Sequence, residues 1–207
     1  MFNPLEATLM DFRTGQESGT TFVYVMPFTE RTALVEYTLF SNRLLSDAGY
    51  DKGLREYLTV QLRVDRFTVL DQENGVIPMT NVVFPAADHH IVYLGTAGGQ
   101  TKPSSGYTFR FIQKHSKAIV ESLIKNGSPL GVKMPSRRRF GFYDSVLLSI
   151  LATGKLPGGE IFSRLFTANP MNMIMKFLDN ETSVAEDIRI IKALPKKIFL
   201  NAALREW

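Results

Sequence analysis

Residues 90–109 read HIVYLGTAGGQTKPSSGYTF, and this stretch decides the fold. Ile91-Val92-Tyr93-Leu94 is an apolar run that predicts a buried strand. It stops at Gly95, and Gly98 and Gly99 follow closely. Pro103-Ser104-Ser105-Gly106 then leads into a long amphipathic run, Tyr107 to Lys125, which predicts a helix. The order is strand, glycine-rich loop, helix. Glycine allows the backbone to come close to a ligand, and Ser104 or Ser105 is expected to cap the helix start. Unpaired N–H groups and the positive end of the helix dipole would then favour an anionic guest in the loop. The spacing is neither the GxGxxG of a dinucleotide fingerprint nor the GxxxxGK[ST] of a P-loop. Read by residues alone, the loop is either a ligand cradle or a plain structural turn.

Upstream, Thr20 to Phe28 (TTFVYVMPF) and Ala33 to Phe40 (ALVEYTLF) are β-branched and aromatic. With a turn at Thr29–Thr32 they predict an antiparallel hairpin. Alternation sets Leu34, Glu36, Thr38 and Phe40 on one face and Val35, Tyr37 and Leu39 on the other. Asp51 to Leu62 predicts a helix, with Leu54, Leu58 and Leu62 four apart. Phe67 to Glu73 predicts a strand, Gly75 to Thr80 an extended segment and Asn81 to Asp88 a loop. Helix Tyr107–Lys125 places Phe109, Ile112, Ser116, Ile119 and Leu123 along one face, with His115 on the polar side, and ends at Gly127 and Pro129.

Gly131 to Phe140 (GVKMPSRRRF) is basic and irregular and reads as a boundary to a helical tail. Helices are expected over 142–152, 160–168, 171–178, 183–194 and 198–204, broken at Asn169-Pro170 and Leu194-Pro195. Ser183-x-x-Glu186 is a capping box.

Composition narrows the function classes. The 207 residues are 44% hydrophobic and 21% charged, an ordinary globular balance. Cysteine is absent, which removes disulfides, thiolate metal sites and thiol nucleophiles. His89, His90 and His115 have no metal-ligand spacing, and His89-His90 reads as a surface loop pair. The net charge of +4 suits weak attraction to an anionic membrane and falls short of a nucleic-acid footprint. No run of apolar residues is long enough to span a membrane, and the first residues do not form a signal peptide.

Two carboxylates stand out. Glu36 sits in an apolar strand between Val35 and Tyr37. It is either a desolvated acid, whose burial would raise its pKa, or a solvent-facing residue on a half-buried strand. Asp11 in LMDFRT is either an acid or the partner of Arg13 in an edge pair. The cluster Lys133, Arg137, Arg138 and Arg139 beside Phe140, Phe142 and Tyr143 is either a solvated loop or a membrane-docking patch. The run Met171 to Phe177 is either helix core or the lining of a hydrocarbon tunnel.

Three of these stretches together resemble the lycopene cyclase family, a branch of the FAD-binding Rossmann-type flavoproteins. GTAGGQTKPSSGYTF is similar to its second flavin-contacting motif, which implies cofactor contacts at Gly95, Thr96, Ala97, Gly98, Gly99, Pro103, Ser104, Ser105, Gly106 and Tyr107. LVEYTLF resembles its acidic strand motif, which implies an acid–base role for Glu36 with Thr38 beside the substrate. Many relatives carry a second acid next to that glutamate, where this chain has Tyr37. Gly75-Val-Ile-Pro-Met-Thr80 resembles the Gly-x-x-Pro-x-Thr segment, which implies Pro78 and Thr80 along the substrate cavity. LMDFRT resembles a further family stretch and adds Asp11 as a catalytic candidate.

The resemblance runs from about Phe2 through Leu194 and implies a fold class of α+β or α/β. In it, an antiparallel substrate-domain sheet (1–88) is followed by an FAD-binding strand–loop–helix (89–130) and a helical tail (131–207). It implies reduced FAD as cofactor, NADPH as reductant, lycopene or another acyclic carotenoid as substrate, and a peripheral place on the cytoplasmic side of the inner membrane. No GxGxxG unit for the FAD pyrophosphate occurs in the chain, and Met1-Phe2-Asn3-Pro4 aligns with the interior of the family pattern. The chain is therefore expected to be a C-terminal portion that alone binds FAD poorly and cyclises nothing. Two other readings stand beside it: a monooxygenase or prenyl reductase of the same superfamily, and a non-catalytic membrane-binding fragment.

Overall fold

The computed structural model describes residues 1–132 and 138–206. They form two compact units, Met1–Asn74 with Pro157–Glu160 and Gly75–Leu156 with Ile161–Trp207. Helices and small antiparallel sheets make the chain α+β, as expected.

The first unit is built on a three-stranded antiparallel sheet of β1 (Thr8–Asp11), β2 (Thr20–Pro27) and β3 (Ala33–Phe40), in that spatial order. The β2–β3 hairpin forms as the sequence predicts. Its turn is held by Thr29, whose hydroxyl accepts from the N–H groups of Arg31 and Thr32 at 3.1 and 3.0 Å. Register pairs Phe22 with Thr38 and Tyr24 with Glu36. β1 carries an irregularity between Thr8 and Asp11, with Met10 at φ 52°.

One sheet face buries Val23 and Val25 against Tyr57, with Phe2, Val35, Tyr37 and Leu62 packed around them. α1 (Asp47–Glu56) is capped by Ser46, which accepts from the Gly49 N–H, and continues as a π turn, Tyr57–Gln61. This corrects the expected helix over 51–62. The helix starts a turn earlier and runs on into the wider turn, and Tyr57 with Leu62 reaches the core. The opposite sheet face is aromatic: Phe22 lies edge-on to Tyr24 and Phe40, with centroids 5.4 and 5.0 Å apart, and to Phe12 at 5.6 Å.

Residues 67–73 do not form the expected strand. A strand requires a hydrogen-bonded neighbour, and none pairs with them among the described residues. The second unit begins with an extended segment from Gly75 and a two-stranded ribbon, β4 (Ala87–Asp88) and β5 (Ile91–Val92). The buried strand expected over 91–94 is thus a two-residue one, and its Ile91 is 59% exposed. Only β4 pairs with it among the described residues, and Val92 is half-buried where Ile91 is not.

A 3₁₀ turn (Gly95–Gly98) follows, and then α2 (Phe109–Asn126), which ends at Gly127 with φ 70° as the sequence predicts. The helical tail is α3 (Arg138–Ala152), α4 (Gly158–Ala168), α5 (Met171–Leu178), α6 (Val184–Ile191) and α7 (Lys196–Glu206). α3 packs on α7 and α5 on α6. The capping box at Ser183 and Glu186 is present. α3 starts at Arg138, inside the stretch expected to be irregular. No helix among the described residues is long and apolar enough to cross a membrane.

Candidate functional site

The glycine loop is shaped by backbone requirements. Gly95 and Gly99 take φ 65° and 70°, conformations that a side chain disfavours. A methyl group on Gly98 would run into the backbone carbonyl of Tyr93. Gln100, fully inside, closes the loop: its Oε1 accepts from the Gly95 N–H at 2.9 Å. That contact turns the Gln100 amide nitrogen toward His115, where it donates to Nδ1 and leaves the ring proton on Nε2. His115 is therefore buried and bonded, a correction to its expected place on the polar side of α2. Ile112, His115 and Ile119 lie three and four residues apart, so helical spacing itself sets His115 on their face; its polar side chain, not the period, suggested an outward place.

A chain of hydroxyls continues the loop. Thr96 meets Thr101 at 3.0 Å, Thr101 meets Thr108 at 2.9 Å, and Thr108 donates to the Gly106 carbonyl at 2.9 Å. Gly106 has φ 76°. The serines do not cap the helix: α2 begins after Thr108, and Ser104 is buried, donating to Asp144 at 2.5 Å. The first turn of α2 thus starts at Phe109, three residues after Gly106 has set the backbone and ten after Gly99.

A cavity of about 280 Å³ opens beside the loop. The extended segment lines it with Pro78, Thr80, Asn81, Val82 and Phe84, the loop with Thr96, Gly99, Thr101 and Pro103, and α3 with Gly141 and Ser145. Asn81 donates to the Ser145 hydroxyl at 3.1 Å, and Thr80 accepts from the Val82 N–H at 3.1 Å. Of the residues singled out by sequence, Pro78, Thr80, Thr96, Gly99 and Pro103 meet on this wall. Gly95, Ala97, Gly98, Ser104, Ser105, Gly106 and Tyr107 shape the loop without lining the cavity.

Behind the wall lie charges that sequence reasoning missed. Lys102 Nζ is 2.7 Å from Asp144 Oδ1, with the two side chains 1% and 4% exposed. Lys102 also donates to Asn180 Oδ1 at 2.8 Å and lies over the rings of Phe140 and Phe177. Burial pushes the Lys102 pKa down against the pull of Asp144. A second cluster surrounds Asp187, which accepts from Arg139 at 2.8 Å, Thr182 at 2.5 Å and Tyr143 at 3.3 Å. The available signal was a charged residue at an inward position: Asp144 on an apolar helix, Lys102 inside a glycine loop.

The same cluster takes up part of the basic stretch that the sequence left as either a solvated loop or a docking patch. Arg139 is tied to Asp187, Phe140 is buried and Tyr143 is bonded inward. Lys133 and Arg137 lie outside the described residues.

In the first unit, Glu36 is exposed, which is the solvent-facing one of its two sequence readings and not the desolvated acid. It is central on β3 opposite Tyr24, on the aromatic face, and accepts from the Thr38 hydroxyl at 3.0 Å. The face opposite carries the core, and a strand's alternation leaves Glu36 outward. Asp11 behaves differently. Its side chain is 7% exposed and takes a fork from Arg13, with Nη2 at 2.6 Å, together with the Tyr57 hydroxyl at 2.7 Å. Burial opposes its ionisation, but the bonds from Arg13 and Tyr57 outweigh it and hold the carboxyl below its usual range. Asp11 is thus an anchored anion, paired with Arg13 as one of the two sequence readings had it. His89 and His90 are exposed, as expected of a surface pair.

No curated protein matches the chain, and no solved structure matches it. The family described as "Lycopene cyclase protein" matches residues 1–204. With nearly the whole chain inside that match, the protein belongs to the lycopene cyclase family.

Proposed function

We propose that the chain is the flavin-ring and substrate-sheet portion of a lycopene β-cyclase, which closes the ψ-ends of lycopene into β-ionone rings. The observation that carries this reading is the meeting of two separately recognised motifs, Gly75–Thr80 and Gly95–Tyr107, on one cavity wall. The reaction is a net isomerisation. A proton adds to the terminal alkene, the neighbouring alkene attacks the resulting cation, and a ring proton leaves, so the formula is unchanged.

The lining residues fit the ring end of a flavin. Pro78, Phe84 and Pro103 offer flat apolar surface, and Thr80, Asn81, Thr96, Thr101 and Ser145 offer uncharged donors and acceptors for a heterocycle edge. Among the described residues no charged side chain lines the cavity, which suits the uncharged ring end better than the pyrophosphate. When bound in its reduced anionic form, FAD supplies negative charge beside a developing cation. NADPH is the reductant that would maintain that form.

Glu36 is the proton carrier in this reading, held by Thr38 on the aromatic face. A polyene laid across Phe22, Tyr24 and Phe40 would displace water from that carboxylate, and desolvation would then favour its protonated form. Substrate dissolved in lipid calls for a peripheral membrane position on the cytoplasmic face. Val76, Ile77, Val82 and Val83, all exposed in the second unit, supply apolar contact for it.

The test joins the chain behind a GxGxxG-bearing βαβ unit of a cyclase in lycopene-accumulating cells. Ring-bearing carotene of unchanged mass is the expected product, and none with Glu36→Gln. Oxygenated or reduced carotenoids would move the chain to the monooxygenase or reductase reading. Unchanged lycopene would overturn the cyclase reading.

A further inference from the structure

The buried ion pair stands directly behind the cavity wall. Thr101 and Pro103, the chain neighbours of Lys102, line the cavity from the loop. Ser145, next to Asp144, and Gly141, nearly a turn earlier, line it from α3. We propose that the Lys102–Asp144 pair is a positioning clamp that fixes the spacing between the loop wall and the helix wall of the cavity. The inference rests on the reading of that cavity as a ligand site. Neither residue lines the cavity, so both are positioning residues.

Three observations carry the proposal. First, the pair is almost wholly out of water, with side chains 1% and 4% exposed. A buried pair of this kind adds little stability over an apolar pair of the same volume, because desolvation cancels the attraction. What it adds is direction: a wrong spacing leaves a buried charge without its partner.

Second, the partners converge on one point. Asp144 Oδ1 takes both Lys102 and the hydroxyl of Ser104, so two residues of the loop converge on one helical oxygen. The remaining Lys102 contacts go to Asn180 and the faces of Phe140 and Phe177, which leaves one place for the ammonium. Third, the loop backbone is hitched to the same residue. The Lys102 N–H donates to the Tyr107 carbonyl at 2.8 Å, and the Lys102 carbonyl accepts from Gly106 at 2.9 Å. Moving Lys102 therefore moves the whole 101–107 segment.

Hydrogen exchange on the full chain tests the clamp without any ligand. In K102M/D144L, which removes both charges at once, amides of the 95–107 segment should exchange about tenfold faster. Amides of α6 and α7 should keep their wild-type protection. A loop that exchanges as in the wild type would overturn the proposal. So would a uniform rise across the unit, which would mark the pair as a general stability element. Ser104→Ala keeps the charges and removes one tether, and it covers the case in which the double variant does not fold. It should raise exchange in the same segment by about threefold, and no local rise would overturn the clamp. Riboflavin titration is read separately. Failure of the wild type to bind would count against the flavin reading and leave the exchange result to decide the clamp. With wild-type binding, the clamp predicts about tenfold weaker affinity in K102M/D144L at an unchanged melting temperature.

Discussion

The phenol of Tyr57 donates to the carboxylate of Asp11 across 2.7 Å, joining the π turn to the edge strand of the first sheet. Tyr57 is also one of the three residues at the centre of that unit's core. Tyr57→Phe keeps the ring and removes the donor, leaving a buried carboxylate short of one partner. Urea unfolding should show a loss of about 1–3 kcal/mol. A midpoint equal to that of the wild type would mean that the hydroxyl contributes nothing.

Asp11 also sets an acid limit. Its folded pKa lies below the ordinary 3.8, so its contribution is fully present above that pH. It is lost as pH falls through the lower folded value. Asp11→Asn should therefore flatten the acid limb of the stability curve below about pH 4 and lower stability at neutral pH, measured by unfolding across pH 2–7.

Glu186 gives a second, separate acid response. Its hydrogen bond from Lys176, with those from Ser183, holds its carboxyl down to about 2 from 4.5. The contribution to the α5–α6 junction is present above pH 4.5 and fades as pH drops toward 2. In Glu186→Gln that pH dependence should disappear from the exchange rates of the first α6 amides. Persistence of the wild-type slope would place the titration elsewhere.

The glycines of the two cavity motifs should respond differently. Gly98→Ala forces a methyl against the Tyr93 carbonyl, and backbone cannot move aside cheaply, so about 1–3 kcal/mol should be lost. Gly99→Ala meets Phe84 at 3.2 Å and requires φ 70°, a cost of about 1–2 kcal/mol. Gly75→Ala meets nothing within 4 Å and should leave the melting temperature unchanged. Equal effects at all three positions would contradict the loop geometry.

Glu36→Gln should separate folding from chemistry. The side chain is exposed and its one hydrogen bond is to a neighbour on the same strand, so stability should stay within about 0.5 kcal/mol. Ring formation in the joined enzyme should be lost. A large drop in stability would instead give Glu36 a structural role.

The hairpin, the capping box and the tail breaks were readable because each depends on contacts within a few residues: Thr29 with Thr32, Ser183 with Glu186. The site was half readable. Pro78, Thr80, Thr96, Gly99 and Pro103 belong to recognisable motifs, and they do meet. Lys102 and Asp144 are 2.7 Å apart in space but distant in the chain, and no local pattern couples them. Glu36 misled for a related reason. Its apolar flanks are real, but alternation turns them to the core and the carboxylate to solvent. The strand expected at 67–73 had suitable residues and no neighbour to bond, a condition set wholly outside the segment.

The π turn sets a constraint of chain length on the first unit. Leu62 donates its N–H to the Tyr57 carbonyl, five residues back, so both side chains descend on the same valines. An α-helix advances about 100° per residue and would swing the second of them off the sheet. Val60, 62% exposed, should accept almost any substitution, and deleting it would set Leu62 four residues after Tyr57, where an ordinary α-helical turn keeps both on one face. A residue inserted there would instead carry Leu62 round to the far side, so this turn tolerates a loss of length better than a gain.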